Sequence, residues 1–296
     1  MKISGMGEDA LIERLLRLVP VDSRPGHGPG DDCAVVDEGG DLLRLLKTDA
    51  MVGGIHFQTE EIPERVGRKA IARVLSDFAA MGGWGNRFLV TLAIPPETDL
   101  AWAEGLYRGM GACLRMVGAL LVGGETTRLA AGAAVVISVA AEGRVRREEL
   151  VLRSGGQVGD LLLVTGTLGG SIHGRHLDFT PRLAEAAWLV KHFKPTAMMD
   201  LSDGLASDLP RLAAASGCGF HIDVPALPCA EGSESSHALH DGEDYELLFS
   251  IDPSICEALF REWRMRFPEL NLSRIGKLTR NDEWQDIGKG WDHFGE

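Results

Sequence analysis

Residues 26–40 read GHGPGDDCAVVDEGG, a glycine-rich loop that leads through two carboxylates into a short apolar run. The run at residues 33–36 predicts a strand, and Asp31 and Asp32 stand at its entrance. Adjacent carboxylates repel each other, so the end of an apolar strand is unfavourable for them unless a cation lies nearby. The stretch therefore favours an α/β fold with a cation site at the edge of a sheet.

The composition is that of a globular protein with an excess of acidic residues. The chain has 296 residues, of which 45% are hydrophobic and 25% are charged, which allows a sizeable core. Its 43 acidic and 30 basic residues give a formal net charge of −13. Such a chain gains no counterion-release affinity for nucleic acid and is repelled by anionic lipid, so neither partner is expected. The surplus carboxylates suit divalent cations instead.

Cysteine usage and hydropathy predict a cytoplasmic protein. The five cysteines are odd in number and form no CxxC pair, which argues against a disulfide framework and a zinc site. The N-terminal MKISGMGEDALIERLL has no apolar signal core. The longest apolar run, AAGAAVVISVAA at residues 130–141, is shorter than the ~20 residues of a membrane span and predicts a buried strand.

Helical and strand patterns alternate along the chain and predict a mixed α/β fold. The segment 63–83 predicts a long helix that begins at a proline and ends at paired glycines. The charged and then glycine-rich segment 143–156 predicts a connection, which divides the chain into domains 1–145 and 146–296. The polar stretch AEGSESSHALHDG, residues 230–242, predicts a flexible loop.

Recurring acidic residues replace the common nucleotide and hydrolase motifs. The sequence has no P-loop, no GxGxxG after a strand, no HExxH and no GxSxG. Six segments instead place a carboxylate beside glycine, serine or threonine. One such residue is more often a turn or a helix cap, and Asp208 is interpreted as part of a solvated helix face. Six together favour ligands for Mg²⁺, which prefers carboxylate and phosphate oxygens. The segments are GDD at 30–32, KTD at 47–49, LSD at 75–77, GGETT at 123–127, DLSDG at 200–204 and GEDYE at 242–246.

Eight sequence blocks follow one another along the chain. They are GPGDDCAVV, KTDAMVGGIHF, LSDFAAMG, GGETTR, VLRSGGQVGDLLLVTGTLGGS, MMDLSDGLASDL, GEDYELLF and GKGWDHF, the last at residues 288–294. In this order they resemble the thiamine-monophosphate kinase family of the aminoimidazole ribonucleotide synthetase-like superfamily. The resemblance implies a two-domain fold with an N-terminal mixed sheet and a C-terminal α/β domain. It implies that ATP phosphorylates thiamine monophosphate directly, with several Mg²⁺ ions and no covalent nucleophile. It also implies a homodimer formed by the N-terminal domains.

The resemblance further implies roles for single residues. Asp32 is expected to bind metal directly, whereas Asp31 binds through water or holds the loop. Without the resemblance, His56 would be a core histidine, Arg153 a surface charge and Trp291 an anchor of the tail. The implied metal ligands are Asp32, Thr48, Asp49, Asp77, Glu125, Asp200 and Asp203. The implied ATP contacts are Gly124, Glu125, Arg153 and Ser202, and the implied substrate contacts are His56, Glu243 and the stacking ring of Trp291.

Lys47 departs from the family at a metal-ligand position, where a small residue, often with a hydroxyl group, is expected. Lys47 and Asp49 share a face of the predicted strand, so the ammonium either replaces one Mg²⁺ charge or pairs with Asp49.

Other departures concern the metal and substrate groups. Glu125 replaces an aspartate, Val74 replaces an asparagine, and His240 and Asp241 stand where small residues are usual. The alternatives are therefore a kinase or synthetase of the same superfamily that acts on another small phosphorylated metabolite, or a nucleotide-binding protein that has lost catalysis.

Overall fold

The chain forms two compact units in a computed structural model that describes residue 3, residues 6–24 and residues 26–292. His293 and Phe294 of the GKGWDHF block lie outside the described residues. No helix in the described ranges combines the length and the apolar character needed to cross a membrane.

Each unit combines segments that are distant in sequence. We call them the sheet-A unit and the sheet-B unit. The predicted division into domains 1–145 and 146–296 stays a prediction. The sheet-A unit contains residues 32–150 and 174–188, and the sheet-B unit contains the described residues of 1–31, 151–173 and 189–296.

The sheet-A unit is a five-stranded sheet with two long helices. Its elements are β1 Ala34–Val36, β2 Leu42–Val52, α2 Pro63–Ala80, β3 Trp84–Ile94, α3 Leu100–Val117, β4 Leu120–Arg128, β5 Val136–Arg146 and the short α4 Arg175–Asp178. The strand order is β1-β2-β5-β3-β4, and only β3 and β4 are parallel neighbours. Buried residues alternate with less buried ones along β5, so one face of the sheet packs into the core. Of the apolar run at 130–141, which was predicted to be a strand, residues 136–141 lie in β5 and residues 130–135 precede it.

Two glycines allow α2 and α3 to approach each other closely. A Cβ atom on Gly67 would lie 1.9 Å from the carbonyl oxygen of Leu106, and one on Gly109 would lie 1.9 Å from the carbonyl oxygen of Glu64. No side chain fits at such distances, because protein interiors are close-packed. This packing fixes α2, the helix that carries Asp77.

The sheet-B unit is built on a second five-stranded sheet. Its elements are α1 Glu8–Leu16, β6 Leu161–Thr165, β7 Ala197–Asp200, α6 Leu205–Ala215, β8 Gly219–Ile222, α7 Ser235–His240, β9 Leu247–Ile251, α8 Pro253–Arg266 and β10 Leu272–Thr279. The strand order is β7-β9-β6-β10-β8, and all neighbours are antiparallel. Leu162, Leu209 and Leu248 lie in its fully buried core. The chain passes from one unit to the other within α5, Leu183–His192.

The mixed α/β class predicted from the sequence is confirmed, and one local prediction is wrong. Residues 230–242 contain α7 rather than a flexible loop. Glu234 and His237 form a capping box at its start, and Ala238 and Leu239 are buried. Burial of two apolar residues and a satisfied helix end outweigh the turn-forming composition.

Candidate active site

Two buried carboxylates of the sheet-A unit lie close together. Asp32 directly precedes the strand-entrance residue Cys33, and Asp77 lies near the end of α2. The residues are 3% and 7% exposed, and an oxygen of each carboxylate lies within 4.8 Å of the other. Two buried negative charges at this distance repel strongly and require compensation by cations. The structure thus brings together two of the predicted metal ligands, 45 positions apart in the chain.

Lys47 of β2 supplies one positive charge to this pair. Its Nζ atom lies 2.6 Å from Oδ1 of Asp77, and the two side chains are 22% and 10% exposed. Burial by itself would lower the pKa of Lys47, but the carboxylates of Asp77 and Asp49 outweigh burial and raise the pKa above its ordinary value. The alternative in which Lys47 simply pairs with Asp49 does not describe this geometry, because the hydrogen bond goes to Asp77.

Asp49 is held by a residue that the motifs did not indicate. Nε of Arg73 on α2 lies 3.1 Å from Oδ2 of Asp49. Arg73 and Asp77 are four residues apart and share a helix face, but this spacing does not indicate the pairing with Asp49. Thr48 lies between Lys47 and Asp49 on the strand and is exposed, so its side chain is on the opposite face of the sheet. The structure does not bring the Thr48 side chain to the carboxylates.

His56 follows β2 in a loop that a buried lysine holds. Nδ1 of His56 accepts a hydrogen bond from the backbone N–H of Val52 at 3.0 Å. Nζ of Lys69, which is 0% exposed, donates to the carbonyl oxygen of His56 at 2.7 Å and lies 2.7 Å from Nδ1 of His176. Because Nδ1 of His56 accepts, the neutral ring carries its proton on Nε2. An imidazole N–H of this kind can donate a hydrogen bond to a phosphate oxygen.

Gly124 and Glu125 lie on β4, at the far edge of the sheet from β1. A Cβ atom on Gly124 would lie 2.0 Å from the carbonyl oxygen of Val90, so glycine is needed for the strands to pair. Glu125 is exposed and stands opposite Thr91 of β3. It is three strands from Asp49, about 14 Å at ordinary strand spacing, so one chain does not bring the two carboxylates together.

In the sheet-B unit, the loop after β7 carries Ser202 and Asp203 and is held by Asp208. Asp200 is 3% exposed at the end of β7. Oδ2 of Asp208 accepts hydrogen bonds from the backbone N–H groups of Ser202 and Asp203, both at 3.0 Å. The interpretation of Asp208 as a solvated helix face is wrong, since this residue is 0% exposed.

Burial and two charged neighbours, Asp203 and Arg211, act on the carboxyl group of Asp208. Burial raises its pKa well above the ordinary value, neighbouring Asp203 raises it further, and the guanidinium of Arg211 opposes both. Arg211 forms ion pairs with Asp203 and Asp208, so it fixes the loop from the side of α6. Neither Asp208 nor Arg211 was among the predicted site residues, although Arg211 follows Asp208 by three helical positions.

Glu243 and Trp291 join the same loop through backbone contacts. The N–H of Glu243 donates to the carbonyl oxygen of Ser202 at 2.7 Å, and the N–H of Trp291 donates to that of Asp203 at 2.8 Å. Glu243 has a φ of 57°, a left-handed conformation that costs a non-glycine residue free energy and is often found at functional sites. Trp291 is half exposed, and an indole ring is a side chain that can stack on an aromatic ring.

The remaining predicted residues have structural contacts of their own. The backbone N–H of Arg153 donates to Oδ1 of Asp31 at 2.6 Å, which agrees with a loop-holding role for Asp31. Val74 is fully buried on α2. Nδ1 of His240 lies 2.9 Å from the carbonyl oxygen of Lys289, and so this departure contacts the C-terminal segment.

Comparisons with known proteins show what the sequence and the fold of this chain are similar to. The sequence profile of the AIR synthase related protein, N-terminal domain, matches residues 30–145, and that of the C-terminal domain matches residues 175–283. Thiamine-monophosphate kinase of Rhodopirellula baltica is 36% identical over 88% of this chain and 86% of its own length. That of Haemophilus influenzae is 32% identical over 98% of this chain and 99% of its own length. The solved structure of AaThiL complexed with AMPPCP and TMP matches with a TM-score of 0.82 at 29% identity, over 99% of both chains.

Proposed function

The chain belongs to the thiamine-monophosphate kinase family, and we propose that it transfers the γ-phosphate of ATP to thiamine monophosphate, which yields thiamine diphosphate and ADP. The observation that carries this proposal is similarity to curated kinases of that name, at 36% identity over 88% of the chain and at 32% identity over 98% of it. A structure at 29% identity holds AMPPCP and TMP, an ATP analogue and the phosphate acceptor. We also propose a cytoplasmic location, which the cysteine usage favours.

Mg²⁺ is the cation that we propose for the buried carboxylates. The donor set fits a hard cation, because Asp32 and Asp77 offer carboxylate oxygens within 4.8 Å of each other. Asp49, Glu125, Asp200 and Asp203 are proposed as further metal ligands on the resemblance. Bound ions would offset the charge of the two phosphates that must meet.

The chain's own residues position the reactants in this proposal. His56 donates from Nε2 to the phosphate of the acceptor, while Lys69 holds the His56 loop. Trp291 stacks on an aromatic ring of the acceptor, and Glu243 binds it from the adjacent loop. Phosphoryl transfer needs little covalent chemistry from the enzyme, and so alignment of the attacking oxygen with the γ-phosphate is the main task.

Gly124 and Arg153 with Ser202 are proposed to contact ATP. Gly124 leaves backbone exposed on β4, where a phosphate can approach closely. Arg153 and Ser202 carry this role on the resemblance alone. No covalent nucleophile is part of the mechanism.

A homodimer formed through the sheet of the sheet-A unit completes the proposal. Every residue of the edge strand β4 is exposed, and Leu89, Leu120 and Val122 are 46%, 67% and 52% exposed. Exposed edges and apolar surface of this kind are usually covered by a partner. Glu125 lies far from Asp49 in its own chain, so it would serve a site that involves the second copy. Light scattering after gel filtration is expected to give the mass of two chains, and Leu89→Arg the mass of one.

A product assay tests the function. Purified protein is incubated with ATP, thiamine monophosphate and millimolar Mg²⁺, and thiamine diphosphate is measured by chromatography. Folded protein that forms no product under these conditions refutes the proposal. If ATP is instead consumed with another phosphorylated metabolite, the related-kinase alternative is correct.

The variant Asp49→Asn separates an enzyme from a binding protein. Loss of a metal ligand should abolish turnover if the protein is a kinase. A protein that only binds nucleotide would show no turnover before or after the change, and its affinity for AMPPCP by calorimetry would change only modestly. The control is Arg44→Thr, on the same strand, where Arg44 forms an exposed ion pair with Glu38.

A further inference from the structure

We propose that Lys47 is a built-in cation of the acidic pair Asp32 and Asp77, so that this chain binds one divalent ion fewer than the same chain with a neutral residue at position 47. The inference rests on the proposed function for the presence of divalent ions. It concerns the charge that the chain itself provides before any ion binds.

The geometry of the pair supports this role. Nζ of Lys47 is 2.6 Å from Oδ1 of Asp77, and that carboxylate lies within 4.8 Å of the one on Asp32. Surface lysines usually pair in a loose and solvated way, but here both partners are mostly buried, at 22% and 10% exposure. The ammonium is therefore fixed on Asp77, one of the two carboxylates of the pair.

The elements on either side restrict the movement of both groups. Lys47 lies in the middle of β2, which pairs with β5 from Leu42 to Val52. Asp77 lies on α2, whose spacing from α3 the close glycine contacts fix. Neither group can move away without disturbing a sheet or a helix pair, so the ion pair is a stable part of the fold.

The ammonium and a divalent ion exclude each other at this place. An ammonium group has donors and no lone pair, so it cannot ligate a metal, and its positive charge repels a second cation beside the same Asp77 oxygen. A tethered charge also works at any metal concentration, because it does not dissociate. The guanidinium of Arg73 already pairs with Asp49. If the ammonium of Lys47 is removed, Arg73 therefore does not replace its positive charge at Asp77.

The test compares the chain with Lys47→Thr and with Arg44→Thr, the matched control on the same strand. Equilibrium dialysis and electron paramagnetic resonance with Mn²⁺ alone give the number of ions bound per chain. We expect one additional ion in Lys47→Thr and no change in Arg44→Thr or in the charge-preserving Lys47→Arg. Equal numbers in Lys47→Thr and the unmodified chain overturn the proposal.

Thermal unfolding gives a second readout that does not depend on catalysis. In EDTA, Lys47→Thr should have a lower Tm than the unmodified chain. Millimolar Mg²⁺ should raise the Tm of Lys47→Thr by about 5 °C more than it raises the Tm of the unmodified chain. If this variant does not fold, Lys47→Gln is measured in the same way, and an equal Mg²⁺ response in all chains contradicts the inference. If Lys47→Thr binds an additional ion but the unmodified chain makes no thiamine diphosphate, only the proposed function is refuted. If the unmodified chain is active but Lys47→Thr binds the same number of ions, only this inference is refuted.

Discussion

Replacement of Lys69 by methionine tests whether a buried ammonium holds the predicted phosphate-binding loop. Lys69 is 0% exposed and donates to the carbonyl oxygen of His56 at 2.7 Å, and its Nζ lies 2.7 Å from Nδ1 of His176. Methionine keeps most of the side-chain volume and the helix propensity but removes both contacts. The carbonyl and the imidazole then lose a charged partner inside the protein.

The expected cost follows from opposing terms. A hydrogen bond to a charged group contributes about 1.5–3 kcal/mol, so two contribute roughly 3–6 kcal/mol. Burial of the ammonium costs several kcal/mol, which methionine avoids. The net destabilisation is therefore about 2 kcal/mol, and calorimetry should show a Tm lower by about 4–8 °C.

The same variant should also weaken the acceptor site. Because the His56 carbonyl loses its anchor, the His56 ring loses its fixed orientation, and we expect the KM for thiamine monophosphate to rise about tenfold, or about 1.4 kcal/mol. The KM for ATP should not change. Lys191→Met, on an exposed position of α5, is the control and should leave both values unaltered. A Lys69→Met chain with an unchanged Tm and an unchanged KM would refute the reasoning.

Two further predictions concern packing and thiol chemistry. Gly109→Ala should lower the free energy of unfolding by about 2–4 kcal/mol, because its Cβ would lie 1.9 Å from the carbonyl oxygen of Glu64. Urea unfolding measures this change, and an effect below about 0.5 kcal/mol would show that α2 and α3 separate easily. Burial raises the pKa of the Cys113 thiol to about 11, so iodoacetamide at pH 8 should label half-buried Cys229 well before Cys113; equal labelling rates would contradict this burial.

The fold was largely predictable because its local patterns agree with its global packing. The apolar residues of β5 identify it as a strand from the sequence alone, and α2 has a proline at its start and glycines after its end. The segment of α7 was not predictable, because its polar composition is typical of a loop. Its helix depends on Ala238 and Leu239, which are buried by parts of the chain that are distant in sequence.

The candidate site was predictable in its residue types and less so in its pairings. The acidic motifs identify Asp49 and Asp77 as single residues, yet nothing local shows that Arg73 holds the first or that Lys47 contacts the second, 30 positions away. Such pairs follow from the placement of α2 on the sheet. Glu125 illustrates the reverse, because its motif resembles the others although strand order separates it from them.

The adjacent carboxylates Asp31 and Asp32 are tolerated before β1 because they have different partners. Asp31 accepts a hydrogen bond from the backbone N–H of Arg153, and Asp32 lies beside Asp77, to which Lys47 contributes its positive charge. The two residues lie in a bend before β1, and these separate contacts are what distinguish the two carboxylates. The repulsion that matters is instead the one between Asp32 and Asp77, which the chain reduces with a lysine even before any metal ion binds.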